Sequence, residues 1–103
     1  MKYVIVKTNR KVYPFIFAEH LVHSEAARRF THLVGFDSND GPAEVHSAGF
    51  CHIHDNQFQV NHGSESLRIE PDRRQGFEDY QILNMPAALQ GMFPVTKRRE
   101  IEI

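Results

Sequence analysis

The chain is poor in the features that usually narrow a protein's role. It has one cysteine, Cys51, among 103 residues, so no intramolecular disulfide can form, which suits a reducing cytoplasm. No apolar run approaches the ~20 residues of a membrane-spanning helix. The start, Met-Lys-Tyr-Val-Ile-Val-Lys-Thr, alternates like a strand and lacks the apolar stretch of a signal peptide. Charge of neither sign dominates: 12 Lys and Arg against 13 Asp and Glu give −1. That balance argues against general attraction to nucleic acid or an anionic membrane. No internal repeat, linker or charge run divides the chain, so residues 1–103 read as a single domain of cytoplasmic location.

Histidine, in contrast, is plentiful. Seven histidines make the net charge turn positive in mild acid, because an unperturbed imidazole titrates near pH 6.5. The hydrophobic fraction of 41% and charged fraction of 24% are those of an ordinary globular domain with one modest core.

The expected elements run β-β-α-β-β-β-α. Tyr3–Lys7 and Val12–Phe17 are rich in β-branched and aromatic residues and flank a turn-forming stretch. Pro14 lies in the second of these runs, so that strand is either at an edge or irregular there. Ser24 can cap a helix, with Glu25 in its first turn. Ala26, Phe30, Leu33 and Val34 form one apolar stripe, and Gly35 is a C-terminal stop, so a helix is expected over 24–34. Residues 37–42 read as a loop. Ser64–Ile69 reads as a further strand, Pro71-Asp72 as the opening of a helix-like or turn segment, and Glu78–Met85 as a short helix that Pro86 ends or kinks. The tail 96–103 is charged and reads as frayed. The fold class is α+β, a mostly antiparallel sheet with one or two helices packed on one face.

Four of the histidines fall in His46–His62, which reads as a β-hairpin turning at Asp55-Asn56, residue types that tolerate positive φ. That register opposes Ile53 to Phe58 and Cys51 to Val60. Val45, Gly49, Cys51, Ile53, Phe58 and Val60 then share the core face. Glu44, His46, Phe50, His52, His54, Gln57, Gln59 and Asn61 share the outer one.

Several groups of residues bear on chemistry. His52 and His54, two apart on a strand, point the same way and can reach one metal, but zinc needs a third ligand. His46 is roughly 20 Å upstream along the strand; His20, His23, Asp55 or Glu44 could supply the ligand, but nothing in the spacing fixes which, and the simpler reading is a histidine-rich polar face. His20 and His23 straddle a strand-to-helix junction and read as surface or capping residues. Cys51 sits on an apolar face and reads as a buried, inert thiol. Gly63-Ser-Glu-Ser66 offers a small-residue turn to an anion but lacks phosphate-loop spacing. Arg28-Arg29, Arg73-Arg74 and Lys97-Arg98-Arg99 would serve nucleic acid only if gathered on one surface with aromatic partners; interleaved acids favour solvated faces. Phe15, Phe17, Phe30 and Phe58 read as core. Phe50, on the outer face among histidines and glutamines, reads as a protein contact or as packed under the second helix.

Val45-His-Ser-Ala-Gly-Phe50, Gly63-Ser-Glu-Ser-Leu67, Pro71-Asp72 and Asp79-Tyr-Gln-Ile-Leu83, with the Met-Lys-Tyr-Val-Ile-Val start, resemble small uncharacterised proteins of bacterial genomes and prophages. The resemblance implies a cytosolic, bacterial or phage-encoded accessory protein and carries over no catalytic residue. The expected function is a small non-enzymatic protein-binding or regulatory protein without cofactor or metal. It would contact a protein partner, or itself as a homodimer, through Phe50, His52, His54 and Gln59. The alternatives are a metal-dependent hydrolase using His52 and His54, and a nucleic-acid-binding regulator.

Overall fold

The computed structural model describes residues 1–37 and 41–85. The elements are β1 (Lys2–Lys7), β2 (Val12–Phe17), α1 (His23–Asp37), β3 (Glu44–His54), β4 (Gln57–His62) and α2 (Arg73–Leu83). The strands form one antiparallel sheet in the order β2-β1-β3-β4. The fold is α+β.

Alternation along β1 divides the core in two, because successive side chains point to opposite faces. Val4 and Val6 join Phe15, Phe17, Ala26, Ala27, Val34 and Ala48 under α1. Tyr3 and Ile5 join Cys51, Ile82 and Leu83 under α2. The two helices therefore take opposite faces, and the sheet is the middle of three layers.

The β3–β4 ribbon has the expected register, Ile53 opposite Phe58 and Cys51 opposite Val60. Asp55 and Asn56 both take left-handed φ, 53° and 64°, which is the geometry of a tight hairpin turn. Three expectations for this ribbon fail. The β1–β3 register slips between Ile5 and Val6, which pair with Ser47 and Val45 and leave His46 as the extra residue of a bulge. The bulge moves Val45 to the α1 cluster and turns His46 toward Glu78 on α2, so neither stands where strict alternation puts it. Ile53, expected in the core, is 61% exposed. The Cys51 N–H already bonds the Met1 carbonyl, so the hairpin runs on past the end of β1, and among the described residues no strand backs Ile53 there.

Helix α1 begins one residue before Ser24, with the Val22 carbonyl accepting from Glu25 and Ala26, and passes through Gly35 to Asp37. One exposed glycine costs a helix only ~1 kcal/mol, less than packing supplies upstream. Helix α2 begins earlier than expected because Asp72 caps it, accepting from the Arg74 and Gln75 amides at 2.9 and 3.2 Å. It ends at Leu83 with Asn84 as its cap; Pro86 and the tail at 96–103 lie outside the described residues.

Residues 64–69 do not form the expected strand. Ser64 and Ile69 bond each other's backbone, and Arg68 N–H bonds the Glu65 carbonyl, which closes a tight turn. Leu67 and Ile69 pack at the rim of the α1 cluster, after which the chain rounds β4 at Pro71 to start α2 on the other face. Among the described residues no helix is long and apolar enough to cross a membrane.

Candidate functional site: the Phe50 face

The residues expected to form the contact surface do share one face. Phe50, His52 and His54 alternate along β3 on the α1 side, and Gln59 stands directly opposite His52. Helix α1 lies over β1 and β3, and the hairpin extends beyond it.

Phe50 is 40% exposed, yet it is firmly held. His23 meets its ring edge-on at 5.2 Å, and the Lys2 ammonium stands 5.7 Å from the ring centroid. His23 in turn meets Phe17 edge-on at 5.7 Å, and Phe17 leans on Phe30, which stacks flat on Phe15 at 4.2 Å. Phe50 is thus the surface end of an aromatic chain rooted in the core. The Lys2 ammonium also donates to the Leu21 carbonyl at 2.8 Å, which fixes the cation over the ring.

His23 is buried, and its Nε2–H donates to the Gly49 carbonyl at 2.8 Å. Burial pushes its pKa below the usual imidazole range; the Gly49 bond opposes this and the Lys2 charge adds to it. His23 is therefore a neutral strut, whereas the sequence suggested a surface or capping residue. His20 is exposed, so the two do not form a pair.

Beside Phe50 opens a cleft of 720 Å³, lined by Asn61, His62 and residues 63–65 and 68–71. The 64–69 turn forms its wall. Within it the amides of Gly63, Ser64, Arg68 and Ile69 all bond carbonyls of the chain itself.

His52 and His54 are exposed, and His54 Nε2 lies 3.4 Å from Asp55. Among the described residues no three His, Cys, Asp or Glu side chains gather closely enough to hold a metal ion. Cys51 is buried, and burial pushes its thiol pKa up. Arg28-Arg29 on α1 and Arg73-Arg74 on α2 belong to opposite faces of the sheet, and Lys97–Arg99 lie outside the described residues.

The polar cluster that sequence reasoning missed lies under α2. Asp79, fully buried, accepts from Tyr3 Oη at 2.5 Å, from Ser47 Oγ, and from Gln75 Nε2 at 2.9 Å. Gln75 also donates to Glu78 at 2.6 Å, and Glu78 accepts from His46 Nε2 at 2.8 Å. Those two bonds hold the Glu78 carboxyl below its usual range. Burial, then Asp79, pushes the Tyr3 hydroxyl far above its usual value. Ser47 contacts Asp79 and not a histidine, and both are sealed from solvent, so the cluster fastens α2 to the sheet and has no nucleophile to offer. Its one signal in the sequence is an acid at a core position of α2, Asp79 ahead of Ile82 and Leu83.

The fold and face together define a small α+β domain with a pre-formed aromatic surface patch. No family model, no curated protein and no solved structure matches the chain.

Proposed function

We propose that the protein is a small non-enzymatic binding module that docks a protein partner, or a second copy of itself, on the face formed by Phe50, His52, His54 and Gln59. The observation that carries this reading is Phe50 itself. A large aromatic is half-exposed yet locked by His23 and Lys2. Interfaces draw most of their affinity from a few such anchors, and an anchor held rigid beforehand loses little entropy on binding. The adjoining cleft and the imidazoles and amide around the ring supply the polar rim that such contacts have.

The β2 edge is guarded at Pro14, and the β4 edge is covered at Phe58. In the β1–β2 ladder Thr8 N–H bonds the Lys11 carbonyl at the turn, so the backbone nitrogen of Pro14, opposite Ile5, lies on the outer edge and leaves β2 one donor short there. At β4, the Asn84 carboxamide covers the outward N–H and C=O of Phe58.

Phe50→Ala tests the assignment. Sedimentation of the pure protein and capture of partners by immobilised protein should both be measured, with thermal unfolding as the check on folding. The variant should lose self-association or partner capture by about tenfold or more, the scale of a hot-spot truncation. Unchanged behaviour in both measurements would falsify the assignment of this face.

A further inference from the structure

A second cleft, of 430 Å³, runs between β4 and α2. Its strand wall is Gln59, Val60, Asn61 and His62. Four consecutive strand residues can line one cleft together only through their backbone edge, since their side chains alternate between faces. The facing wall is Arg73, Gly76, Phe77 and Tyr80, spaced i, i+3, i+4, i+7 as one helix face.

Ladder parity fixes what this edge presents. Gly63 N–H bonds the Ala48 carbonyl, so Asn61 and Gln59 face β3 while Val60 points its N–H and C=O outward. Among the described residues nothing pairs with them. The same edge shows what it accepts: two residues earlier, Asn84 Oδ1 takes the Phe58 N–H at 2.9 Å and Asn84 Nδ2 donates to the Phe58 carbonyl at 3.0 Å. A carboxamide there stands in for the peptide group of a neighbouring strand. Phe77, opposite, is 63% exposed and stacked on Tyr80 at 6.4 Å. A Cβ at Gly76 would lie 3.5 Å from the His62 Cβ, so this glycine lets the helix pack closely on the strand at that end of the cleft. At the His62 end, Arg73 is exposed, while the Asp72 carboxyl is taken up by the helix amides.

We propose that this cleft receives a short extended peptide of a partner protein as an added strand on β4. The residue opposite Val60 exchanges both backbone hydrogen bonds with it and places an apolar side chain against the exposed Phe77 ring. An acidic residue two positions toward its N-terminus meets Arg73. The slot is stopped by Asn84 at one end and by Pro71 and Asp72 at the other, so only a few residues enter. Strand addition to an edge beside a helix gains affinity from the main chain and selectivity from alternate side chains. The site is separate from the Phe50 face and stands or falls independently of it.

The test uses the ¹⁵N-labelled full chain and the heptapeptide acetyl-Thr-Glu-Val-Phe-Val-Thr-Ser-amide, with central leucine and valine versions. The peptide should shift the Val60 amide resonance and slow its hydrogen exchange about tenfold or more at saturation. N-methylation of the central residue should weaken binding about tenfold, as loss of one strand hydrogen bond does. Gly76→Leu, which crowds the cleft beside His62, and Phe77→Ala should each weaken binding, while Phe50→Ala should not. No perturbation of Val60 at millimolar peptide overturns the proposal, as does equal binding of the N-methylated peptide or binding that survives both cleft variants. Perturbation of Val60 by adenosine but not by peptide overturns it in favour of a nucleobase. A Val60 amide already protected in the free protein overturns it in favour of another segment of this chain or a second copy.

Discussion

On the α1 side of the sheet, Phe15 lies flat on Phe30 among valines and alanines; on the α2 side, an apolar cluster surrounds a carboxyl that takes hydrogen bonds from two hydroxyls and an amide. The first face gains from area removed from water and is tolerant of direction. The second has directional bonds and is intolerant of a missing partner. A buried donor left unpaired costs about 1–3 kcal/mol, whereas a satisfied one contributes about 1. The α1 face thus supplies stability, and the α2 face fixes where the helix sits.

Two variants set that comparison at its largest. Phe15→Ala removes a buried ring and its stacking partner's support, and should cost about 3–5 kcal/mol in urea unfolding. Asp79→Ala strands Tyr3 and Ser47 together and should cost about 3 kcal/mol. The decisive step is to replace the whole cluster, Tyr3→Phe with Ser47→Ala and Asp79→Leu. If the cluster chiefly sets position, the triple variant recovers most of what Asp79→Ala loses. A triple variant less stable than Asp79→Ala alone would show that the α2 face is held by its polar bonds after all.

The same contrast explains what could be read from the residues. Apolar periodicity is a local signal, so the β1–β2 pair, α1 and the Cys51–Val60 register all follow from it. The contact residues Phe50, His52, His54 and Gln59 fall on one face because strand parity is also local. The bulge at His46 is not local: it arises where β1 and β3, some forty positions apart, must both present apolar residues to α1. The short run Ser64–Ile69 has strand composition, but it closes on itself through the Ser64–Ile69 pair. Asp79 and His23 look like surface residues one at a time; only their partners at Tyr3, Ser47 and Gly49 make burial affordable.

His23 gives a smaller and opposite test, since it is a buried imidazole on the apolar side. It faces Lys2 from β1, Phe17 from β2, and Gly49 and Phe50 from β3. Its folded pKa lies below the unfolded value of 6.5, so the unfolded chain binds the proton first. Stability contributed by neutral His23 is present above pH 6.5 and is lost as pH falls from there toward the depressed value. The urea midpoint should drop between pH 7.5 and pH 5.5, and His23→Gln, which keeps a donor for Gly49, should drop less. Equal drops in the two proteins would place the proton uptake elsewhere.

The smallest effect belongs to the 64–69 turn, which walls the Phe50 cleft. Arg68 holds φ at 57°, a conformation that costs an ordinary L-residue about 1–2 kcal/mol and glycine almost nothing. Glycine gives back part of that gain through the freer unfolded chain. Arg68→Gly should therefore stabilise by about 0.5 kcal/mol, a rise of about 2–4 °C in Tm. Asn56→Gly, at φ 64° in the β3–β4 turn, should change Tm less, since asparagine tolerates that region. If Arg68→Gly instead destabilises, the arginine side chain is bracing the cleft wall, and the α1 side is held by more than apolar packing. Loss of partner capture in a stabilised Arg68→Gly protein would mean that the chain carries strain at this turn to keep a cation beside Phe50.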